Sequence, residues 1–125
     1  MPNPFVHVEL NTTDLPKAKA FYSKLFAWEL EDMPMATGTY TLIKPGNGTG
    51  GGMMKHPMPG APSTWLAYVQ VDDINAGAAR VNELGGKAGE SMPVPNMGWF
   101  ATCTDPHGNE FGLSQTDPSA PMPEG

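Results

Sequence analysis

The sequence contains the same strand-to-helix pattern twice. It reads FVHVELNTTDLPKAKAFYSKLFAW at residues 5–28 and returns as WLAYVQVDDINAGAARVNELGGK at residues 65–87. In each copy, an alternating segment is followed by an aspartate and then by apolar residues at helical spacing. Neither copy alone is large enough to bury its own sheet, so the two must pair. We therefore expect two similar modules that share one fold.

The first copy shows the pattern most clearly. Apolar and polar residues alternate along residues 5–11, which predicts a half-buried strand whose polar face carries His7 and Glu9. Asp14 is a suitable N-cap because its carboxylate can accept hydrogen bonds from the first helical N–H groups. The apolar spacing that follows predicts a helix over residues 15–26.

Turn residues divide the rest of the chain into further elements. The second helix is predicted at residues 74–84, and the other strands at residues 28–31, 39–44, 51–55, 65–71, 87–89, 99–104 and 110–115. The predicted fold class is α+β, with two paired βαβββ modules that form a cup-shaped mixed sheet with the helices outside. One domain, residues 1–125, would hold module one at about 4–55, a linker at 56–63, module two at about 64–115 and a disordered tail at 116–125.

Composition excludes several classes of partner. The formal net charge of −6 argues against nucleic acid, whose phosphates require clustered Lys and Arg. No apolar run approaches the ~20 residues of a membrane-spanning helix, and the first residues lack a signal-peptide pattern. A single cysteine, Cys103, excludes an internal disulfide. We expect a cytoplasmic protein with no nucleic-acid or membrane partner.

Superposing the two copies on their capping aspartates relates their polar faces. The overlay places His7 on Leu66, Glu9 on Tyr68 and Asn11 on Gln70. Because side chains two residues apart share one face of a strand, Tyr68 and Gln70 would face the cup in the second module.

The two βαβββ modules and the closing motif DPHGNEFGL at residues 105–113 resemble the vicinal oxygen chelate superfamily. That superfamily includes glyoxalase I, extradiol dioxygenases, and the fosfomycin and bleomycin resistance proteins. The resemblance covers about residues 4–115, and GGGMM at residues 50–54 is similar to the branch described as glyoxalase/bleomycin resistance protein/dioxygenase. It implies a small-molecule ligand and a homodimer.

The resemblance also indicates which positions would hold the ligands of a metal site. In metal-using members, ligands come from the first and last strands of each module, and matching by position assigns those places to His7, Met53, Leu66 and Gly112. Only His7 is a usable ligand, whereas a catalytic divalent ion generally needs about three protein ligands. The sequence therefore predicts no metal and no cofactor.

Three roles remain open for His7: a polar residue that fills the sheet face, a ligand-binding or acid–base group, and a metal ligand. Glu110 lies two residues before Gly112, so it shares the face of the missing ligand. An alternative metal site would therefore combine His7, Glu9 and Glu110 around a divalent ion.

Two functions follow from these alternatives. The first is a metal-free small-molecule-binding protein similar to bleomycin resistance proteins. The acidic balance would suit a cationic ligand, and the predicted binding residues are His7, Glu9, Tyr68, Gln70 and Glu110. The alternative is a metal-dependent lyase or dioxygenase-like enzyme with a noncanonical ligand set built on His7. The sequence assigns no catalytic residue.

Overall fold

The structure is a computed structural model that describes residues 3–35, 38–94 and 96–121. Its elements are β1 (Phe5–Thr12), α1 (Leu15–Leu25), β2 (Glu29–Met35), β3 (Gly38–Lys44), β4 (Gly51–Lys55), β5 (Thr64–Gln70), α2 (Ile74–Glu83), β6 (Lys87–Ala88), β7 (Met92–Val94), β8 (Gly98–Thr104) and β9 (Glu110–Thr116). Both predicted helices are present, each ending one residue earlier than expected. The sequence pattern does not indicate β7, because a three-residue segment centred on Pro93 lacks strand character. The predicted α+β class with two βαβββ modules is confirmed.

The chain divides into two compact units. The first-half unit spans His7–Leu66, and the second-half unit combines Met1–Val6 with Ala67–Gly125. The predicted linker, residues 56–63, contains no strand or helix and precedes β5.

In the first-half unit, the strands run in the order β2-β3-β4-β1. β1 and β4 are parallel, whereas β4 pairs with β3, and β3 with β2, in antiparallel fashion. Leu10, on the predicted apolar face of β1, belongs to the core against which residues of α1 pack. The core of this unit comprises Leu10, Ile43 and Met53, against which Leu15, Ala18, Tyr22, Trp28 and Leu30 pack.

In the second-half unit, the order is β5-β9-β8-β6, and β7 also pairs with β8. β5 and β9 are parallel, and β8 and β9 are antiparallel. The core comprises Ile74, Ala101, Cys103 and Leu113. Cys103 is 1% exposed, and burial raises the pKa of its thiol, so the side chain acts as a small apolar residue.

Both predicted caps are present. The Asp14 side chain accepts a hydrogen bond from Lys17 N, and the Asp73 side chain accepts from Asn75 N and Ala76 N. Gly85, just after α2, has φ +92°, a left-handed conformation that glycine adopts without a steric penalty. The helices therefore begin where the sequence places them because the caps are local.

The expected disorder of residues 116–125 differs from the structure over the part that it describes. Thr116 pairs with Gly98 at the end of β9, and Ala120 is 4% exposed, with its carbonyl accepting a hydrogen bond from Asn96 N. Proline content predicts a loose tail, whereas in the structure backbone hydrogen bonds connect Asp117 and Ala120 to Met97 and Asn96. Residues 122–125 lie outside the described residues.

The first helix is largely exposed. α1 has no buried residue, and the side chains of Phe21 and Leu25, predicted on its apolar stripe, are 59% and 55% exposed. Within the described residues, neither helix is long and apolar enough to cross a membrane.

Candidate functional site

A hydrogen-bonded group of three side chains lies on the polar face of the first-half sheet. His7 and Glu9 come from β1, two residues apart, and Tyr40 comes from β3. The Tyr40 hydroxyl lies 2.6 Å from His7 Nε2 and donates a hydrogen bond of 3.0 Å to Glu9 Oε1. The rings of His7 and Tyr40 are nearly parallel, with centroids 6.3 Å apart. The structure therefore brings together two predicted residues through a third that was not predicted.

The direction of these bonds fixes the histidine tautomer. A phenol has one proton, and in this group that proton is donated to Glu9. The Tyr40 oxygen must then accept from His7, so Nε2 carries the imidazole proton. Hydrogen bonds therefore run in one direction, from His7 to Tyr40 to Glu9.

Burial determines the charge of this group. Desolvation lowers the pKa of His7 below its ordinary value of 6.5, so the imidazole is neutral at neutral pH. Glu9 is 8% exposed, and a buried carboxylate requires hydrogen-bond donors such as the Tyr40 hydroxyl. The group thus combines a neutral imidazole with a polarised phenol.

Tyr40 occupies space that Gly52 leaves open. Gly52 pairs with Glu9 across β1 and β4, and a Cβ built on Gly52 would collide with the Tyr40 ring and hydroxyl. Met53 instead points to the opposite face, where it is fully buried in the core beneath α1. The assignment of the last-strand ligand place to Met53 was therefore wrong by one residue, because the strand register puts Gly52 on the polar face.

The second-half unit repeats this arrangement. Tyr68 pairs with Gly112 across β5 and β9, and a Cβ on Gly112 would collide with the Tyr68 ring. The Tyr68 side chain is 4% exposed and meets Phe100 edge to face, with ring centroids 6.2 Å apart. Tyr68 thus fills the space beside the residue that matched the superfamily's carboxylate position.

The remaining predicted binding residues are placed differently. Gln70 is half-buried, and its backbone N–H and C=O bond to Pro4 O and Asn3 Nδ2. Glu110 is exposed at the start of β9, opposite Thr104. These backbone contacts do not test whether the side chains of Gln70 and Glu110 bind a ligand, so their binding roles stay predictions.

The donor set does not fit a metal ion. In the described part of the chain, no three or more His, Cys, Asp or Glu side chains are grouped so that they could hold one. The alternative set of His7, Glu9 and Glu110 is therefore unsupported. Where carboxylates would be needed, Gly52 and Gly112 offer no donor, and tyrosine rings occupy the space.

A cavity of about 350 Å³ opens next to Tyr40 within the first-half unit. This volume lies at the lower end of the range for small-molecule sites. Its lining includes apolar and hydroxyl-bearing side chains and one lysine: Thr13, Leu15, Pro16, Thr39, Tyr40, Met54 and Lys55. The hydrogen-bonded group therefore shares a residue with a ligand-sized space.

Sequence reasoning missed Tyr40, although a signal was present. In β3, Thr41 and Ile43 are buried, and Tyr40 alternates with them. That alternation places Tyr40 on the face opposite the core, which is the face of His7 and Glu9. The pairing itself was not readable, because 33 and 31 residues separate Tyr40 from its two partners.

Comparison with known proteins identifies the family. A family model described as the Glyoxalase/Bleomycin resistance protein/Dioxygenase superfamily matches residues 5–113. The chain belongs to this superfamily. Curated relatives in Mycobacterium bovis and Mycobacterium tuberculosis, both named "Putative glyoxylase CFP32", are 38% identical over 109 residues. The match covers 85% of this chain and 42% of each relative, so the chain spans about two fifths of their length.

Solved structures agree on the fold. A hypothetical protein from Bacillus halodurans has a TM-score of 0.72 at 14% identity, covering 97% of this chain and 99% of that one. Methylmalonyl-CoA epimerase from Mycobacterium tuberculosis has a TM-score of 0.69 at 15% identity, covering 91% of this chain and 88% of that one. At these identities the likeness establishes the fold and leaves the reaction open.

Proposed function

We propose that this protein binds a small organic molecule without a metal ion, and that His7, Tyr40 and Glu9 form the polar part of the binding site. The observation that carries the proposal is the Tyr40 hydroxyl, which is bonded to both His7 and Glu9. A metal ligand at His7 Nε2 would have to displace that bond.

The two glycines support the same conclusion. Gly52 and Gly112 supply no donor at the positions where a metal-using relative would need one, and Tyr40 and Tyr68 take up the adjacent space. Aromatic side chains with a polar tip are common in small-molecule sites because they combine apolar contact with directional hydrogen bonds. We extend the proposal to Tyr68, Gln70 and Glu110 as ligand contacts in the second-half unit.

The neutral imidazole favours binding over metal-free acid catalysis. A group that acts as a general acid near neutral pH needs a pKa close to that pH. Burial lowers the pKa of His7, so the protonated imidazole is disfavoured at neutral pH. In this site, His7 therefore serves as a hydrogen-bond donor that holds Tyr40 in place.

Metal analysis of the purified protein tests the proposal. Protein prepared without chelator is expected to contain no stoichiometric metal by elemental analysis. Its melting temperature is expected not to rise with Zn²⁺, Ni²⁺, Mn²⁺ or Fe²⁺. His7→Ala should leave this result unchanged, as should the control His107→Ala in an exposed turn. A stoichiometric metal that is lost in His7→Ala but retained in His107→Ala would overturn the proposal.

A metal-dependent lyase or dioxygenase-like enzyme is the competing function. The name of the mycobacterial relatives favours it, since a glyoxylase is an enzyme. The same metal titration separates the two functions, because the competing enzyme requires a bound divalent ion. We also propose a homodimer and a cytoplasmic location, which light scattering of the purified protein and cell fractionation would test.

A further inference from the structure

The lining of the cavity beside Tyr40 has an apolar part and a polar part. Leu15, Pro16 and Met54 form an apolar part of its lining, and the threonine hydroxyls and Lys55 form a polar part. A ligand that fits both parts has an apolar body and one polar group. The volume of about 350 Å³ lies at the lower end of the range for small-molecule sites, so the ligand is small.

The lining of this cavity contains one charged residue, and it is a lysine. Lys55 is the one charged residue in its described lining, and its side chain is exposed. The ion pairs found in the described residues use Lys17, Lys19, Lys44 and Arg80, and none uses Lys55. The Lys55 ammonium therefore has no carboxylate partner within the described chain, and it can pair with a group on a ligand.

We infer that the cavity binds a small organic anion, with its apolar body against Leu15, Pro16 and Met54 and its anionic group at Lys55. This inference rests on the proposed function and names the ligand class. It reverses the expectation of a cationic ligand, which came from the net charge of −6. Net charge governs long-range attraction and solubility, whereas the group nearest the ligand decides which charge is held.

Tyr40 connects this cavity to the hydrogen-bonded group. Tyr40 is one of the residues that line the cavity, and its hydroxyl bonds to His7 and Glu9. These two bonds hold the ring in one position, so the cavity wall is preformed and binding costs little reorganisation. The bound anion would contact a wall that His7 and Glu9 keep rigid.

Three probes of matched shape test the ligand charge: benzoate, benzamide and benzylamine. Each is titrated into ¹⁵N-labelled protein at low ionic strength while backbone amide shifts are followed by NMR. Benzoate is expected to shift the amides of Thr39, Met54 and Lys55 and to bind roughly three- to tenfold more tightly than benzamide, with benzylamine weakest. Added salt should weaken benzoate binding more than benzamide binding.

A pair of lysine variants assigns the effect to one residue. Lys55→Gln should reduce benzoate affinity to the level of benzamide, whereas Lys87→Gln, at an exposed lysine of β6, should leave it unchanged. The inference is overturned if benzoate shows no saturable binding at millimolar concentrations, if its shifts lie away from Thr39, Met54 and Lys55, or if Lys55→Gln binds it as well as the unchanged protein does.

The outcomes separate this inference from the proposed function. If benzamide binds as tightly as benzoate at the same amides, the anion inference fails and metal-free binding stands. If the metal analysis finds a stoichiometric ion held by His7, the proposed function fails whatever the benzoate result.

Discussion

The ring of Tyr68 lies in the space that any side chain at Gly112 would need. The two residues are directly paired across the parallel strands β5 and β9, and a Cβ on Gly112 would collide with three atoms of that ring. Gly112 is buried, and Tyr68 is 4% exposed. Each residue therefore constrains the other: the glycine is required because the ring is there.

A related contact occurs in the other unit, where the tyrosine is not the residue directly paired with the glycine. Glu9 and Gly52 are directly paired across β1 and β4, and there the ring of Tyr40 covers the glycine. Both units thus have a glycine on a strand where a tyrosine ring leaves no room for a side chain. A carboxylate side chain at either place would require the tyrosine to move, so these positions cannot hold both the tyrosine ring in this position and a carboxylate.

The Tyr68–Gly112 contact predicts a large cost for a small substitution. Gly112→Ala should lower the free energy of unfolding by roughly 1–3 kcal/mol, because the added methyl overpacks a buried contact. Urea denaturation measures this change. Gly50→Ala is the matched control, since its Cβ would lie 3.4 Å from Ile43 O, an ordinary contact.

A double-mutant cycle then tests the cause. In a Tyr68→Ala background, Gly112→Ala should cost clearly less than in the unchanged protein, because the ring that it meets is gone. Equal costs in both backgrounds would show that the collision is not the source of the effect.

Removing the Tyr40 hydroxyl should destabilise the protein. Tyr40→Phe keeps the ring over Gly52 but deletes both hydrogen bonds, leaving Glu9 without that donor in a buried position. The expected loss is about 1–3 kcal/mol by urea denaturation. Tyr22→Phe is the control, because within the described residues the Tyr22 hydroxyl makes no hydrogen bond and its ring contacts would persist. Similar losses in both variants would contradict the assigned role of the Tyr40 hydroxyl.

Local signals predicted much of the fold. Asp14 and Asp73 sit next to the N–H groups that they cap, and helical spacing is visible within one element. The two βαβββ modules and the family resemblance followed from the repeat of these local patterns and from the motif at residues 105–113. His7 and Glu9 were found in the same way, because two residues on one strand share a face without reference to any other element.

Register and partner choice across strands were not readable. The choice between Met53 and Gly52 depends on how β4 pairs with β1, and a shift of one residue moves every side chain to the other face. The contact between Tyr40 and His7 depends on two strand pairings at once: the parallel pairing of β1 with β4 and the antiparallel pairing of β4 with β3. The conformation of Asp117–Ala120 likewise depends on backbone hydrogen bonds to Asn96 and Met97, about twenty residues earlier in the chain. Amino-acid composition does not predict such long-range bonds.

The side chain of Asp117 should stabilise the contact between the segment after β9 and Trp99. Its carboxylate accepts hydrogen bonds from Ser119 Oγ at 2.8 Å and from Trp99 Nε1 at 3.0 Å, and these bonds hold the pKa of the carboxyl below its usual range. Asp117→Ala should lower the melting temperature and shift tryptophan fluorescence to longer wavelength as Trp99 becomes more hydrated. Asp72→Ala is the control, since Asp72 is exposed and makes no hydrogen bond within the described chain. An unchanged fluorescence maximum would contradict the Trp99 contact.

Stability should fall as the pH is lowered through the range in which histidine titrates. Burial holds the pKa of His7 in the folded protein below its ordinary value of 6.5, so the unfolded chain takes up a proton that the folded chain does not. The folded state is therefore favoured above pH 6.5, and this advantage is lost progressively below it, until the folded pKa is reached. Glu9 and Tyr40 face His7, and the Tyr40 oxygen accepts the Nε2 proton in the neutral form.

Urea denaturation at pH 7.5 and pH 5.5 measures the effect, because carboxylates with lowered pKa values, such as Asp32 and Asp105, lose their contributions at more acidic pH. His7→Gln keeps a donor toward Tyr40 but cannot take up a proton, so its loss of stability between these two pH values should be smaller than that of the unchanged protein. His107→Gln, in an exposed turn, should retain the original pH dependence. If His7→Gln and His107→Gln showed the same pH dependence, the imidazole of His7 would not be the buried neutral group that holds Tyr40.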